Sequence, residues 1–310
     1  MATNWVSRQT VDMILVTGAT GLTGREVVRT LSTRGVAVRA MVRNSTGANA
    51  ARAAALRGLP GVTVVDADLG RPDTLVAALT DVDRALLIST SNAEMATVQN
   101  GFIDAAARAG AAHLVKVSGI IPDVDSPFRF ARMHGEVEGH LEASGLAYTH
   151  LRGGEYMNSY FRQLPAILGR GALVLPMAGQ RLASLDTLDL AEVAADVLTQ
   201  TGHEGKIYPL TGPHSLTMTE VAAILSGVIG KEIDYIDVPP EQARAAHLAA
   251  GISPYLADGL FELFAERRQG KEATVYPTIR DVFGREPRSF DSFARRHAAV
   301  FRGEQPPPAN

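Results

Sequence analysis

Cysteine is absent from the 310 residues. That excludes disulfides, thiolate metal sites and a cysteine nucleophile. Nor is there any surplus of positive charge: 30 Lys and Arg against 33 Asp and Glu leave a formal net charge of −3. A nucleic-acid binder needs extra basic side chains to displace counterions, so no such partner is expected. No apolar run approaches the ~20 residues of a membrane span. The opening "MATNWVSRQTVD" lacks the apolar stretch of a signal peptide. A soluble cytoplasmic protein acting on a small molecule, away from membranes, is the default expectation. Catalytic signatures are also missing. There is no G-x-S-x-G elbow, which argues against a hydrolase. His113, His140, His150, His203, His214, His247 and His297 show no H-E-x-x-H type of spacing, so no metal site is expected. Glu136 and Glu138 sit two apart on one helix and do not face each other.

What is present is an alternation. Short apolar runs at Met13–Thr17, Val36–Val42, "GVTVVDADL", "VDRALLIST", "AAHLVKVSG" and "LAYTHLR" are separated by helical patterns at Leu22–Arg34, Ala48–Arg57, "RPDTLVAAL", Asn92–Ala109 and Phe128–Ala143. Runs buried on both faces with helices between them predict a parallel sheet with right-handed crossovers, a doubly wound (Rossmann-type) α/β fold. The regular alternation ends at Arg152. Beyond it, "DLAEVAADVL" reads as a helix capped by Asp189, "KIYPL" as a strand, and "SLTMTEVAAILSGVIG" as a capped amphipathic helix ending at Gly230. "ERRQGK", from Glu266 to Lys271, reads as a solvated helix end. The expected organisation is an N-terminal extension over 1–12, a nucleotide-binding domain over 13–152, and a smaller interleaved α/β lobe over 153–302. A disordered tail follows over 303–310. The lobe is expected at the carboxyl ends of the strands, where open sheets bind ligands.

The first strand turns into the first helix through "TGATGLTG". Gly18, Gly21 and Gly24 fit a tight turn, a close approach of backbone to pyrophosphate and a helix–strand contact. The amides of a helix N-terminus favour an anion there. Thr20, Leu22 and Thr23 belong to the same expected site. The second strand ends at Arg43 with no acidic residue nearby, which points to a 2′-phosphate and so to NADPH/NADP⁺. Arg39 lies within the strand and is less well placed; a solvated strand-end cation is the bland alternative for Arg43. After the third strand, Asp68 and Leu69 are placed to meet an adenine, or Asp68 caps the helix that begins near Pro72. Ser89 and Thr90, after the fourth strand, complete the expected cofactor set.

"ILVTGATGLTGREVV", Arg43 and "DADLGRPDTL", followed by "HGEVEGHLEASGLAYTHLRGGEYMN", "LDLAEVAADVL" and "GKIYPLTGP", resemble the NmrA-like family of atypical short-chain dehydrogenases/reductases, from Met13 to about His297. The resemblance implies NADPH as the usual ligand. It covers quinone and dye reductases as well as regulators that bind dinucleotide without turnover. Typical short-chain reductases pair a Tyr and a Lys four residues apart; the matching positions here are Phe130 and His134, with Ser118 at the serine position. Phe130 has no proton to give. His134 is then a candidate for proton donor or ribose ligand, alongside Ser118 and Tyr156 as candidate catalytic residues. Tyr156 and Tyr160 follow the sixth strand as displaced acids or as pocket wall, and Met177, Phe128 and Ile120 are expected to add apolar surface. The leading expectation is hydride transfer to a small aromatic, quinone-like or conjugated substrate without a Tyr–Lys relay; the alternative is a non-catalytic NADP(H) sensor docking on a partner protein. A homodimer is one option for the assembly.

Overall fold

The computed structural model describes residues 13–308. The expected N-terminal extension lies outside the described residues. The strands are β1 (Ile14–Val16), β2 (Val38–Val42), β3 (Val62–Asp66), β4 (Arg84–Leu87), β5 (His113–Gly119), β6 (Ala147–Gly153), β7 (Ala172–Val174), β8 (Arg181–Leu182), β9 (Lys206–Leu210), β10 (Leu216–Thr217) and β11 (Asp234–Ile236). The first helices are α1 (Leu22–Thr33), α2 (Ala50–Arg57), α3 (Pro72–Leu79), α4 (Met95–Ala109), α5 (Arg129–Ala143), α6 (Leu164–Arg170) and α7 (Thr187–Thr199). The rest are α8 (Met218–Ile229), α9 (Pro240–Ala249), α10 (Pro254–Arg267), α11 (Thr278–Phe283), α12 (Phe290–Arg296) and α13 (Ala298–Phe301). A 3₁₀ helix over Met157–Gln163 leads into α6.

Seven strands pair in parallel in the order β3-β2-β1-β4-β5-β6-β9. This is the doubly wound sheet expected from the alternation, with one addition. β9 lies beyond residue 152, so the lobe returns a strand to the sheet. Strand side chains alternate between the faces. Ile14, Val16, Val115 and Val117 pack with α1, α2 and α7, while Leu15, Leu87 and Leu114 pack with α3, α4 and α5. Helix α7, also from beyond residue 152, buries Leu190, Ala191, Val193 and Ala194 in the first of these cores. The remaining lobe has its own core, in which Phe161, Phe290, Phe293 and Phe301 meet α6, β7 and α8. Two small sheets, β8–β10 and β7–β11, stiffen it.

Three local expectations need correction. The N-cap of α7 is Asp186, which accepts from the Leu188 amide, and not Asp189. Asp189 lies in the first turn, where it accepts the Arg288 amide at 2.7 Å and pairs with its guanidinium. "ERRQGK" is solvated only in its second half: Gln269 and Lys271 are exposed, but Glu266 and Arg267 are 2% and 5% exposed. Arg267 is held by Glu155 and Glu272, and Lys271 reaches Glu266. The segment expected to be disordered begins with order, because the Glu304 and Gln305 amides both donate to the Ala299 carbonyl. Helix α8, by contrast, starts and stops where the sequence suggests, with a Thr217–Glu220 capping box and Gly230 in the left-handed conformation.

Candidate active site

The carboxyl ends of β1 to β6 lie on one edge of the sheet, and the predicted site residues collect there. Gly18 has a φ of +57°, and a Cβ on it would stand 2.9 Å from the Ile88 side chain on β4's extension. A Cβ on Gly24 would run into the Gly18 carbonyl, so the glycine is what lets α1 pack directly against the turn. Gly21 is the N-cap of α1, and no side chain caps it. No acidic residue sits in that first turn either. The backbone therefore offers an anion uncapped amides and the positive end of a twelve-residue helix. Thr17 anchors the turn from below, accepting the Ile88 amide at 2.8 Å and giving its hydroxyl to the Leu86 and Ile88 carbonyls. These are the features a diphosphate needs, and they fit a dinucleotide.

Arg43 stands exposed at the tip of β2, and its guanidinium makes no ion pair or hydrogen bond among the described residues. Arg39 does not compete with it, because its guanidinium donates to the Ala78 and Thr80 carbonyls beyond α3. Next to Arg43, Ser45 binds the Asp66 carboxylate through both its amide, at 2.6 Å, and its hydroxyl, at 2.5 Å. These bonds hold the Asp66 carboxyl below its usual range. Asp66 therefore stays ionised, with its carboxylate engaged by Ser45 rather than by Arg43. Asp68 does not cap α3, whose N-cap is Arg71. It instead closes its own loop by accepting the Gly70 amide at 3.0 Å. Leu69 is half-buried beside it, Thr90 is exposed, and Ser89 accepts from Gln99 at 2.8 Å.

Around β5, α5 and β6 the structure assembles a polar cluster that sequence reasoning reached only in part. Lys116 and Ser118 share the β5 face that looks toward α5, and Lys116 is fully buried. Its Nζ lies 3.0 Å from Ser118 Oγ and 3.0 Å from His134 Nδ1. The Ser118 hydroxyl donates a hydrogen bond to Glu138, which also binds Arg152 at 2.6 Å. The Ser118 hydroxyl is thus used internally rather than presented to a ligand. Burial alone would raise the Glu138 carboxyl, but the Arg152 and Ser118 bonds and the His150 charge keep it below the usual range. Burial pushes the Lys116 ammonium down to about 7, Arg152 adds to that shift, and Glu138 opposes it. Burial and the Lys116 charge likewise push His134 well below 6.5. The His134 ring rests against Gly119 at the end of β5, where a Cβ would be 3.0 Å from Cδ2 and 3.6 Å from Nε2. Glycine there leaves the Nε2 edge uncovered, and Nε2 has no partner among the described residues.

Phe130, which the resemblance sets at the tyrosine position, packs into an aromatic cluster instead. It is 7% exposed, lies edge-on to Phe128 and Tyr255, and presses on Gly259 of α10. Phe128 belongs to the same aromatic cluster. Tyr156 stays closer, with its hydroxyl 3.1 Å from where a Cβ of Gly153 would stand. Any side chain at 153 would displace that ring. Burial and the Glu155 charge push the Tyr156 phenol well above 10, so it is a neutral donor. In the lobe a narrow cleft is lined on one side by Leu175, Met177, Leu182 and Phe264 and on the other by Glu155, Tyr160, Arg162, His247 and Arg267. Tyr160 is core as much as wall, since it packs edge-on against Phe290. The lysine was missed because Lys116 interrupts an apolar strand and was read as part of it. Its signal is there all the same: a charged residue in the middle of a strand buried on both faces, two residues before a serine.

Glu138, Glu142 and His150 bring ligand atoms within 4.8 Å of one another. Glu138 is committed to Arg152 and Ser118, which leaves the trio short of a ligand set. Among the described residues no helix is long and apolar enough to cross a membrane.

Comparison with known proteins agrees with this geometry. The model of the NmrA-like family matches residues 10–294. An NAD(P)H azoreductase of Xenophilus azovorans is 36% identical over 289 residues, covering 93% of this chain and 99% of the relative. The NADPH-dependent quinone oxidoreductase of Escherichia coli, solved with NADPH, superposes with a TM-score of 0.82 at 33% identity, over 92% of this chain and 99% of that one. The Citrobacter triphenylmethane reductase, solved with NADP(H), gives 0.81 at 26% identity, again over 92% and 99%.

Proposed function

The chain belongs to the NmrA-like family and is an NAD(P)H-dependent oxidoreductase; from that premise we propose that it reduces a small aromatic, quinone-like or conjugated acceptor, with His134 rather than a Tyr–Lys pair giving the proton. The uncapped glycine turn of α1 with the unpartnered Arg43 beside it carries the cofactor half of the reading. NADPH supplies the hydride. The turn from Gly18 to Gly24, with Thr20, Leu22 and Thr23, would take its diphosphate. Arg43 would take the 2′-phosphate, Asp68 and Leu69 the adenine, and Ser89 and Thr90 the stretch toward the nicotinamide. The chain's own task is to orient the acceptor in the cleft and to protonate it once reduced. An azo, quinone or dye acceptor suits that cleft, as the relatives' substrates suggest.

The sensor reading draws its support from Phe130, which removes the usual acid. Two measurements separate the readings. Calorimetry should give tighter binding of NADPH than of NADH, and NADPH oxidation should be followed with a panel of quinones, azo dyes and cationic dyes. Turnover of about 1 s⁻¹ or more on any of them supports the reductase. Equal binding of NADPH and NADP⁺ with no turnover supports the sensor.

A further inference from the structure

Lys116 is a buried cation that the reading above does not use. A lysine buried for structural reasons is normally paired with a carboxylate. Lys116 has none within ion-pair distance among the described residues. The nearest acid, Glu138, is already occupied by the Arg152 guanidinium and the Ser118 hydroxyl. The titratable and charged groups facing the amine are His134 and Glu138 from α5, and His150 and Arg152 from β6; on its other side β4 presents Leu87. Its two hydrogen bonds, both 3.0 Å, go to Ser118 and to His134 Nδ1. An ammonium can only donate, so Nδ1 accepts and the ring proton is fixed on Nε2, the edge left open over Gly119.

We propose that Lys116 is the proton store behind His134: a positioning residue that fixes the ring's tautomer and refills it as the reduced substrate is protonated. The proposal rests on the reductase reading. When the acceptor has taken the hydride, its oxygen or nitrogen takes the Nε2 proton, Nδ1 takes one from Lys116, and the amine is left neutral. One hydride and one proton have then been added, which converts a quinone to a hydroquinone or an azo bond to a hydrazo bond. The same 3.0 Å contact serves the reversed bond, with Nδ1–H donating to the amine. Recharging runs back through the imidazole from water. Burial brings the amine to about 7, where it holds and releases a proton near neutrality, as an exposed lysine does not.

The test has one arm that needs no turnover. In protein labelled with ¹³C-lysine and without cofactor, one Cε resonance should titrate near pH 7, vanish in Lys116→Met, and share its inflection with the His134 ring signals. The second arm is kcat/KM for a quinone from pH 5.5 to 9. Wild type should fall as pH rises through about 7. Lys116→Met should lie roughly 10²-fold lower at pH 6 with a flat profile and unchanged NADPH affinity. Lys116→Arg keeps the charge but cannot release its proton, so it should behave like the methionine variant. A lysine signal that titrates only above pH 9, or a methionine variant that keeps the wild-type rate and profile, overturns the proposal. Should the methionine variant not fold, the wild-type titration and profile decide it. A wild type that turns over no acceptor defeats the reductase reading itself, whereas activity with an unmoved profile defeats only the lysine's role.

Discussion

Lys116→Met should make the protein more stable than wild type at pH 6 and lose most of that advantage by pH 9. The amine moves from its ordinary 10.5 in the unfolded chain to about 7 in the folded one, because burial penalises the charged form. Where both states are charged, that costs about 5 kcal/mol of folding free energy. Methionine removes the cost and fills much of the same space. It also forfeits the attraction to Glu138 and leaves Ser118 Oγ and His134 Nδ1 without a donor, a loss of about 1–3 kcal/mol. The net gain at pH 6 is then about 2–4 kcal/mol. The sign of the pH effect follows from proton counting. Between about 7 and 10.5 the unfolded chain holds the lysine proton and the folded protein has lost it, so wild-type stability rises with pH across that window. Relative to the variant, wild type should recover about 3 kcal/mol between pH 6 and 9. Urea unfolding of both proteins at pH 6, 7, 8 and 9 measures this directly, and titrating groups that do not interact with Lys116 cancel in the difference. Two parallel stability curves would show that Lys116 is not a desolvated cation, and the reasoning would fail.

Arg43→Ala should lower the preference for NADPH over NADH by roughly 10- to 150-fold, the range expected for losing ~1.5–3 kcal/mol of charge-assisted bonding. Calorimetry with both cofactors measures it, and an unchanged ratio would refute the assignment. Phe130→Tyr restores the residue type that related reductases use, yet it should not raise turnover. The ring edge abuts Gly259, so the new hydroxyl would be buried without a partner and cost about 1–3 kcal/mol of stability. A tenfold rise in carbonyl or quinone reduction in a steady-state assay would contradict this placement.

Much of the fold could be read from local pattern, because its elements are locally encoded. β9 spans the same five residues, Lys206–Leu210, that the pattern marks as a strand, and the Thr217–Glu220 box starts α8 where expected. Glycine carries partly local information: Gly24 is constrained by Gly18 and Ala19 a few residues before it, whereas Gly18 is constrained by Ile88 on the neighbouring strand's extension. Where the outcome depended on distant partners, the pattern failed. The pattern points to Asp189 as the cap of α7, but Asp186 takes that place, and Arg288 and Arg296, about a hundred residues on, bind the two carboxylates. Arg267 looks solvated until Glu155 and Glu272 are brought to it. Phe130 and His134 lie on one helix, but only the packing of α10 shows that the first is structural and only Lys116 shows how the second is held. The glycine turn between β1 and α1 was therefore legible, since its parts are contiguous in the chain. The proton-handling half was not, since three elements share it.

The return of β9 to the sheet has a bearing on biosynthesis. Until residue 210 has left the ribosome, β6 is a bare edge and the nucleotide platform is missing its last strand. A nascent chain cannot finish its amino-terminal half first and append the rest; it must hold an open, pairing-competent edge while the covering segment is made. Such intermediates invite association with other unfinished chains. Fragments ending near residue 152 should for the same reason be recovered mainly as aggregates.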